Sequence, residues 1–242
     1  MTAHTLLAAL PDSLQPQVRS GRELARERAE PRDDPCPTGV APLDRLLGGG
    51  LPVGKLIEMV GRRSSGRFSL VLAALATATT AGESVALIDL GDSLDPQNAA
   101  AVGIDLERLL WLRPEHMKQA LAGTEILIST GFPLVVFDLG NPPVPGGRGF
   151  ESSWLRLARA AAGQGTALLI TSPYRVSGTA AFIVLTTSSA RAEWRGVGSS
   201  PRLLGGLATR LRLEKSRDPT LAGFREPGGG TAALRLASRA VA

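Results

Sequence analysis

The stretch "GRRSSGRFSL", Gly61 to Leu70, separates two apolar runs, and its reading decides the fold. The run before it, "KLIEMVG", reads as a buried strand, and the run after it, "FSLVLAALATATTAG", reads as a buried helix ending at Gly82. Glycines at 61 and 66 between a strand and a helix make the frame of a phosphate-binding loop, in which backbone N–H groups wrap phosphates at a helix N-terminus. Two positions that carry the chemistry depart from that frame. Where a Lys would neutralise the β/γ oxygens stands Arg67, and where a Ser or Thr hydroxyl would hold Mg²⁺ stands Phe68. The planar guanidinium of Arg67 does not replace a compact ammonium, and Phe68 has no oxygen. Ser69 lies one position late, about 100° further round the helix. With Gly61, Gly66, Ser64 and Ser65 in place the wrap itself is still possible, so ATP binding is doubtful but open. No cofactor or metal is expected to be needed.

Working outward, strands and helices alternate. After the loop helix comes the strand "SVALIDL", then a helix at 96–102, the short strand "LLWLRP", a helix near 115–128, the strand "PLVVFDL", a helix at 152–162 and the strand "TALLITS". Near-continuous apolar strands between helices predict an α/β fold with a largely parallel central sheet covered by helices on both faces. Beyond about residue 180 the helices stop. "AAFIVLTTSSARAEW", "ATRLRLEKS" and "TAALRLAS" read as strands, with "EPGGG" as a hairpin turn, and they predict an antiparallel C-terminal extension of the sheet. The chain divides into a charged arm and proline-punctuated linker over 1–36, partly helical or disordered, and a core domain over 37–242.

At 242 residues, 43% of them hydrophobic, the chain is long enough to bury a sizeable core. Its net charge of +5 permits an anionic partner without requiring one, because the signs are interspersed. The single cysteine, Cys36, excludes an intrachain disulfide, and His4 and His116 lie too far apart in sequence to suggest a metal cluster. The apolar start "MTAHTLLAAL" lacks a basic leader region, and no run reaches the roughly 18 apolar residues of a membrane span. A soluble cytoplasmic protein is expected.

The quoted segments resemble the core of the RecA recombinases. "PTGVAPLDRLLGGGLPVGKLIEMVGRRSSG" and "IDLGDSLDPQNAAAVGIDLERLLWLRP" match it in order, and the similarity continues through "PLVVFDL", "ALLITS" and "GLATRLRLEKSRDPTLAGF", from residue 37 to about 225. The resemblance implies a RecA-like P-loop core, and it also exposes departures. The family's catalytic glutamate after the second strand falls on Gly91, which cannot act as a base; the neighbouring Asp92 would aim elsewhere. Its nucleotide-sensing glutamine falls at Ser172 and Pro173. Asp138 matches the aspartate that holds water on the metal, or else bonds a neighbouring loop; Lys215 and Arg217 match lysines that reach a neighbour's nucleotide, or else are solvated charges. The vestigial nucleotide set is thus Gly61, Ser64, Ser65, Gly66, Arg67, Ser69 and Asp138, with no catalytic residue, and no ATP hydrolysis is expected.

The family's two DNA-binding loops reduce to "GNPPVPGGRGF" and the short "YRVSGTA", leaving Arg148 and Arg175 for weak, non-specific phosphate contacts. Residues 1–35 do not resemble the family's filament-building helix and strand, yet 102–114 match the surface that receives them. A shortened core of this kind resembles ImuA, the RecA-like component of the bacterial mutasome that acts in SOS-type, damage-induced translesion synthesis. That resemblance implies a non-catalytic adaptor binding ImuB, an inactive Y-family polymerase homologue, and indirectly an error-prone replicative-type DNA polymerase. The implied partner surface is Val102, Asp105, Leu109, Leu110, Trp111 and Leu112, with one of the alternating pairs Leu109/Trp111 and Leu110/Leu112 in the core and the other available. The alternatives are a DNA-dependent ATPase or recombinase with a variant loop, and a SulA-like inhibitor of cell division.

Overall fold

The computed structural model describes residues 34–140, 150–196, 202–221 and 230–237. They belong to a unit spanning Asp33–Ala242. Most of the charged arm, the first reduced DNA loop with Arg148, and most of the "EPGGG" turn lie outside the described residues.

The elements run in the order α1 (Ala41–Leu46), β1 (Leu56–Val60), α2 (Arg67–Thr80), β2 (Val85–Asp89), α3 (Pro96–Ala101), a 3₁₀ turn (Leu106–Arg108), β3 (Leu109–Leu112), α4 (Met117–Ser129), β4 (Leu134–Asp138), α5 (Glu151–Gln164), β5 (Ala167–Ser172), β6 (Ile183–Arg195), β7 (Leu203–Ser216) and β8 (Thr231–Ala237). Sequence patterning did not anticipate α1: it is a six-residue helix opened by Pro42, too short to show apolar periodicity. Asp44 holds the approach to it, accepting hydrogen bonds from the Thr38 N–H at 2.9 Å and the Thr38 hydroxyl at 2.6 Å. Cys36, assigned to the arm by sequence, already belongs to the fold, because its backbone exchanges hydrogen bonds with Leu51 at 2.8 and 2.7 Å.

One eight-stranded sheet, in the order β3-β2-β4-β5-β1-β6-β7-β8, forms the centre. Strand β6 follows the last helix yet pairs parallel with β1; the antiparallel extension begins at the β6–β7 pair and continues to β8. Alternate residues of each buried strand serve opposite cores. Ile57 and Met59 of β1 with Leu134 and Val136 of β4 pack under α1 and α2, whereas Leu56 and Val60 with Val135 and Phe137 pack under α4 and α5. On that second face Phe137 meets Trp154 of α5 with ring centroids 5.6 Å apart. The parallel pairing of β2, β4, β5 and β1 places their carboxyl ends along one edge of the sheet, which is where ligands collect on parallel sheets.

Candidate functional site

The loop after β1 is sewn to the antiparallel extension. Ser65 and Thr187 of β6 share a hydrogen bond of 2.6 Å between their hydroxyls, and the Thr209 hydroxyl of β7 donates to the Ser65 carbonyl at 2.7 Å. Gly66 enters α2 at φ 87°, and the side chains of Leu207 and Leu236 lie 3.2 and 3.1 Å from where its Cβ would be, so any larger residue would be strained and crowded. Ser64 and Ser69 stay exposed on the cleft side, and Gly61 is buried beside Thr187.

Arg67 does not occupy the position of a phosphate-binding lysine reaching over the loop. Its side chain is only 5% exposed and turns into the protein, where Nη2 donates to the Gly140 carbonyl at 3.0 Å and lies 3.6 Å from Oδ1 of Asp138, a carboxylate with no exposure. The Thr171 hydroxyl of β5 donates to the same Asp138 oxygen. Asp138 thus meets Thr171 of the neighbouring strand and Arg67 of α2. Arg67 Nη1 and Asp138 Oδ2 are left without hydrogen-bond partners. Burial pushes the Asp138 carboxyl above its ordinary range, and Thr171 and Arg67 pull it back; burial likewise lowers the Arg67 guanidinium against the opposing attraction of Asp138. For both groups desolvation outweighs the pairing.

A second close contact involves Gly91, the position of the expected carboxylate. A Cβ there would lie 2.9 Å from the Gly140 N and closer still to the Gly140 Cα, so only hydrogen fits between the two chains. Asp92, at φ 48°, points to the rim and is gripped by Arg113 through two hydrogen bonds of 2.9 Å, with Arg113 lying 5.0 Å over the Trp111 ring. The turn is shaped by Asp89, which accepts from the Ser93 and Leu94 N–H groups and from the Trp111 indole at 3.2 Å. The residues here do not fit a magnesium nucleotide: position 68 offers no hydroxyl, the Asp138 carboxylate is engaged by Arg67, and no side chain can stand at 91. Among the described residues no three His, Cys, Asp or Glu side chains gather as a metal site.

Three charged groups bind the second reduced DNA loop or the residue just after it. Buried Glu58 on β1 accepts from the Val176 N–H at 2.5 Å, the Ser177 N–H at 3.2 Å and the Ser177 hydroxyl. From β7, Lys215 Nζ donates to the Ala181 carbonyl at 2.7 Å and Arg217 donates to the Thr179 carbonyl. Lys215 is half-buried and Arg217 exposed, and each is bonded to a backbone carbonyl of or beside the loop. Burial first, and then Arg217 and Arg175, hold the Lys215 amine below its ordinary value. Arg175 is exposed on this loop. Glu58 and Asp89 were missed from sequence because each sits in an apolar strand, and Glu58 acts on residues brought near only by folding; a charged residue inside an otherwise apolar strand was the available signal.

Among the described residues strand β3 is an edge strand, paired only with β2. The expected division of its side chains is incomplete. Leu109 and Trp111 pack partly on the α2 core and Leu112 on the α4 core, leaving Leu110, at 42% exposure, as the open side chain. The reason is that an edge strand is still covered by helices above and below, and Leu112 lies directly against Gly123 of α4. Asp105 is exposed, caps the 3₁₀ turn through the Glu107 N–H at 3.0 Å and pairs with Arg108 at 3.3 Å, while Val102 is half-buried.

A glycine loop between strand and helix, at the carboxyl ends of a parallel sheet in this strand order, defines a P-loop domain of recombinase type. Residues 22–145 match the family described as the RecA N-terminal domain, and the chain belongs to that family. It is 39% identical over 121 residues to protein RecA of Streptomyces ambofaciens, covering 49% of this chain and 32% of that protein. It is 42% identical over 114 residues to protein RecA of Tropheryma whipplei, covering 46% of this chain and 26% of that protein. The chain thus spans about a third or less of the length of these curated relatives. The crystal structure of the RadB recombinase shares the fold, with a TM-score of 0.60 at 20% identity over 83% of this chain and 95% of that one. No helix among the described residues is long and apolar enough to cross a membrane.

Proposed function

We propose that this chain is a non-catalytic RecA-family adaptor of damage-induced translesion DNA synthesis, acting in the cytoplasm. In this reading it receives a helix-plus-strand segment of an ImuB-like partner on the β3 edge and through that partner meets an error-prone polymerase. The observation that carries the non-catalytic part is the buried contact of Arg67 with Asp138 and Gly140, at 3.6 and 3.0 Å, which spends the cation and the metal-side carboxylate on each other. The Gly91–Gly140 contact supports it, since no base can be added at 91 without displacing backbone. Purified protein is expected to turn over no ATP above background, with or without single-stranded DNA. Gly91→Glu is expected to restore none, because the lysine and the magnesium hydroxyl are missing as well and such groups act as a unit. DNA-stimulated turnover that vanishes in Asp138→Ala would overturn the reading.

The partner half rests on the outer edge of β3, unpaired among the described residues, which offers N–H and C=O groups to an added strand, with Leu110 and Asp105 exposed beside it. Asp105 exchanges its bond to Arg108 for a basic residue of the incoming segment. Asp105→Arg in a protein that melts like wild type should weaken capture of an ImuB-like protein about tenfold, or ~1.4 kcal/mol. Unchanged affinity removes Asp105 from the interface. DNA contact is weak and salt-sensitive, with Arg175 contributing one phosphate contact.

A further inference from the structure

From the same loop a cleft of about 1400 Å³ runs along one side of α2. Its floor is a single stripe of that helix in which Phe68, Leu72, Ala73 and Ala76 are interleaved with the polar Ser69, Thr77 and Thr80, on one helical face. That stripe extends roughly 18 Å at 1.5 Å per residue. Leu204 and Leu207 of β7 wall the loop end, and Val102 and Gly103 close the other. The volume exceeds the ~300–1,000 Å³ of sites that enclose small molecules, and the length suits about three turns of helix. Ala73 and Ala76 in mid-stripe leave room for a second backbone to come close.

The charges of the cleft are uneven. Arg67 is paired with Asp138 in the interior, and at the surface Asp92 pairs with Arg113 and Arg235 with Glu193. Arg62 and Arg63, both exposed, form no ion pair among the described residues and stand at the amino end of α2, whose N-cap Gly66 supplies no side-chain cap. Two cations without an ion-pair partner among the described residues and the positive end of a helix thus meet at one end of a groove of mixed apolar and polar lining.

We infer that this cleft is a docking site for an amphipathic helical segment of a protein partner, which lays its apolar face on Phe68, Leu72, Ala73 and Ala76 and places acidic side chains against Arg62 and Arg63. Helix-in-groove recognition supplies the contact area and the acidic end fixes direction. The inference rests on the non-catalytic reading of the loop and concerns a surface other than the β3 edge.

The test selects from phage-displayed random 16-residue peptides on the full-length protein and measures the enriched peptides by fluorescence anisotropy. The expected consensus has apolar residues at helical spacing with Asp or Glu at one end. Ala76→Arg should weaken these peptides at least about tenfold, and Arg62→Glu with Arg63→Glu should do the same while turning selection toward Lys-rich ends, both proteins melting within a few degrees of wild type. A selection without acidic helical peptides, or peptides that bind both variants as tightly as wild type, overturns the proposal. Two further results also overturn it: self-association in sedimentation that Ala76→Arg abolishes gives the cleft to a second copy, and ATP binding that both variants abolish gives it to a nucleotide. The ATP-turnover and Asp105→Arg experiments do not depend on these peptides, so either reading can fail while the other stands.

Discussion

Two arginine–aspartate pairs sit within one cleft and do opposite things. Arg113 and Asp92 at the rim are more than half exposed and meet in ideal fork geometry at 2.9 Å. Arg67 and Asp138 beneath them are buried, lie 3.6 Å apart and leave one polar atom each unsatisfied. The better geometry belongs to the pair of lesser consequence, because water screens the rim pair while the two interior groups rely on each other and on Thr171 and the Gly140 carbonyl. The interior pair also bears on the proposed function, because it joins the loop residue Arg67 to Asp138 at the end of β4.

The comparison breaks first, and most visibly, at Arg67. Arg67→Ala leaves Asp138 buried without a counter-charge and should cost about 3–5 kcal/mol in urea unfolding, whereas Arg67→Met with Asp138→Leu should recover most of that loss. A double variant as unstable as the single one would mean that the packing of Arg67, not its charge, matters. Next is Glu58, a buried carboxylate satisfied by hydrogen bonds from Val176 and Ser177 instead of by an arginine. Glu58→Gln keeps the shape but puts an amide where acceptors are needed, and should cost about 1–3 kcal/mol and raise proteolysis within 174–181. The smallest effect belongs to the rim. Asp92→Ala should change stability by about 0–1 kcal/mol, and less at high salt, measured by thermal melting in low and high NaCl. A loss as large as that of Arg67→Ala would remove the distinction between rim and interior.

Much of the fold was legible because it is written in local pattern. Apolar runs alternating with helical stretches marked β1 to β5 and four of the helices, and Gly61 and Gly66 marked the turn between β1 and α2. The short α1 escaped because six residues carry no periodic signal, and β6 was placed only in the antiparallel extension because its apolar composition does not say on which side it pairs. At the site, the identity of Arg67, Phe68 and Gly91 was enough to reveal that a lysine, a hydroxyl and a carboxylate were missing. It was not enough to reveal where the arginine goes.

By itself the sequence determined the strand–loop–helix frame, the departures within it and the membership in a family whose core it matches, since each depends on residue types at fixed spacing. Tertiary structure alone decided that Arg67 turns inward to Asp138, that Gly91 lies against Gly140, that Glu58 holds a loop more than a hundred residues away, and that only Leu110 of the β3 side chains stays open. The physical reason is common to all four. A side chain's direction and charge state follow from which backbone and carboxylate it meets after the sheet closes, and those neighbours, 73 positions apart for Arg67 and Gly140 and 118 for Glu58 and Val176, have no signature in local sequence.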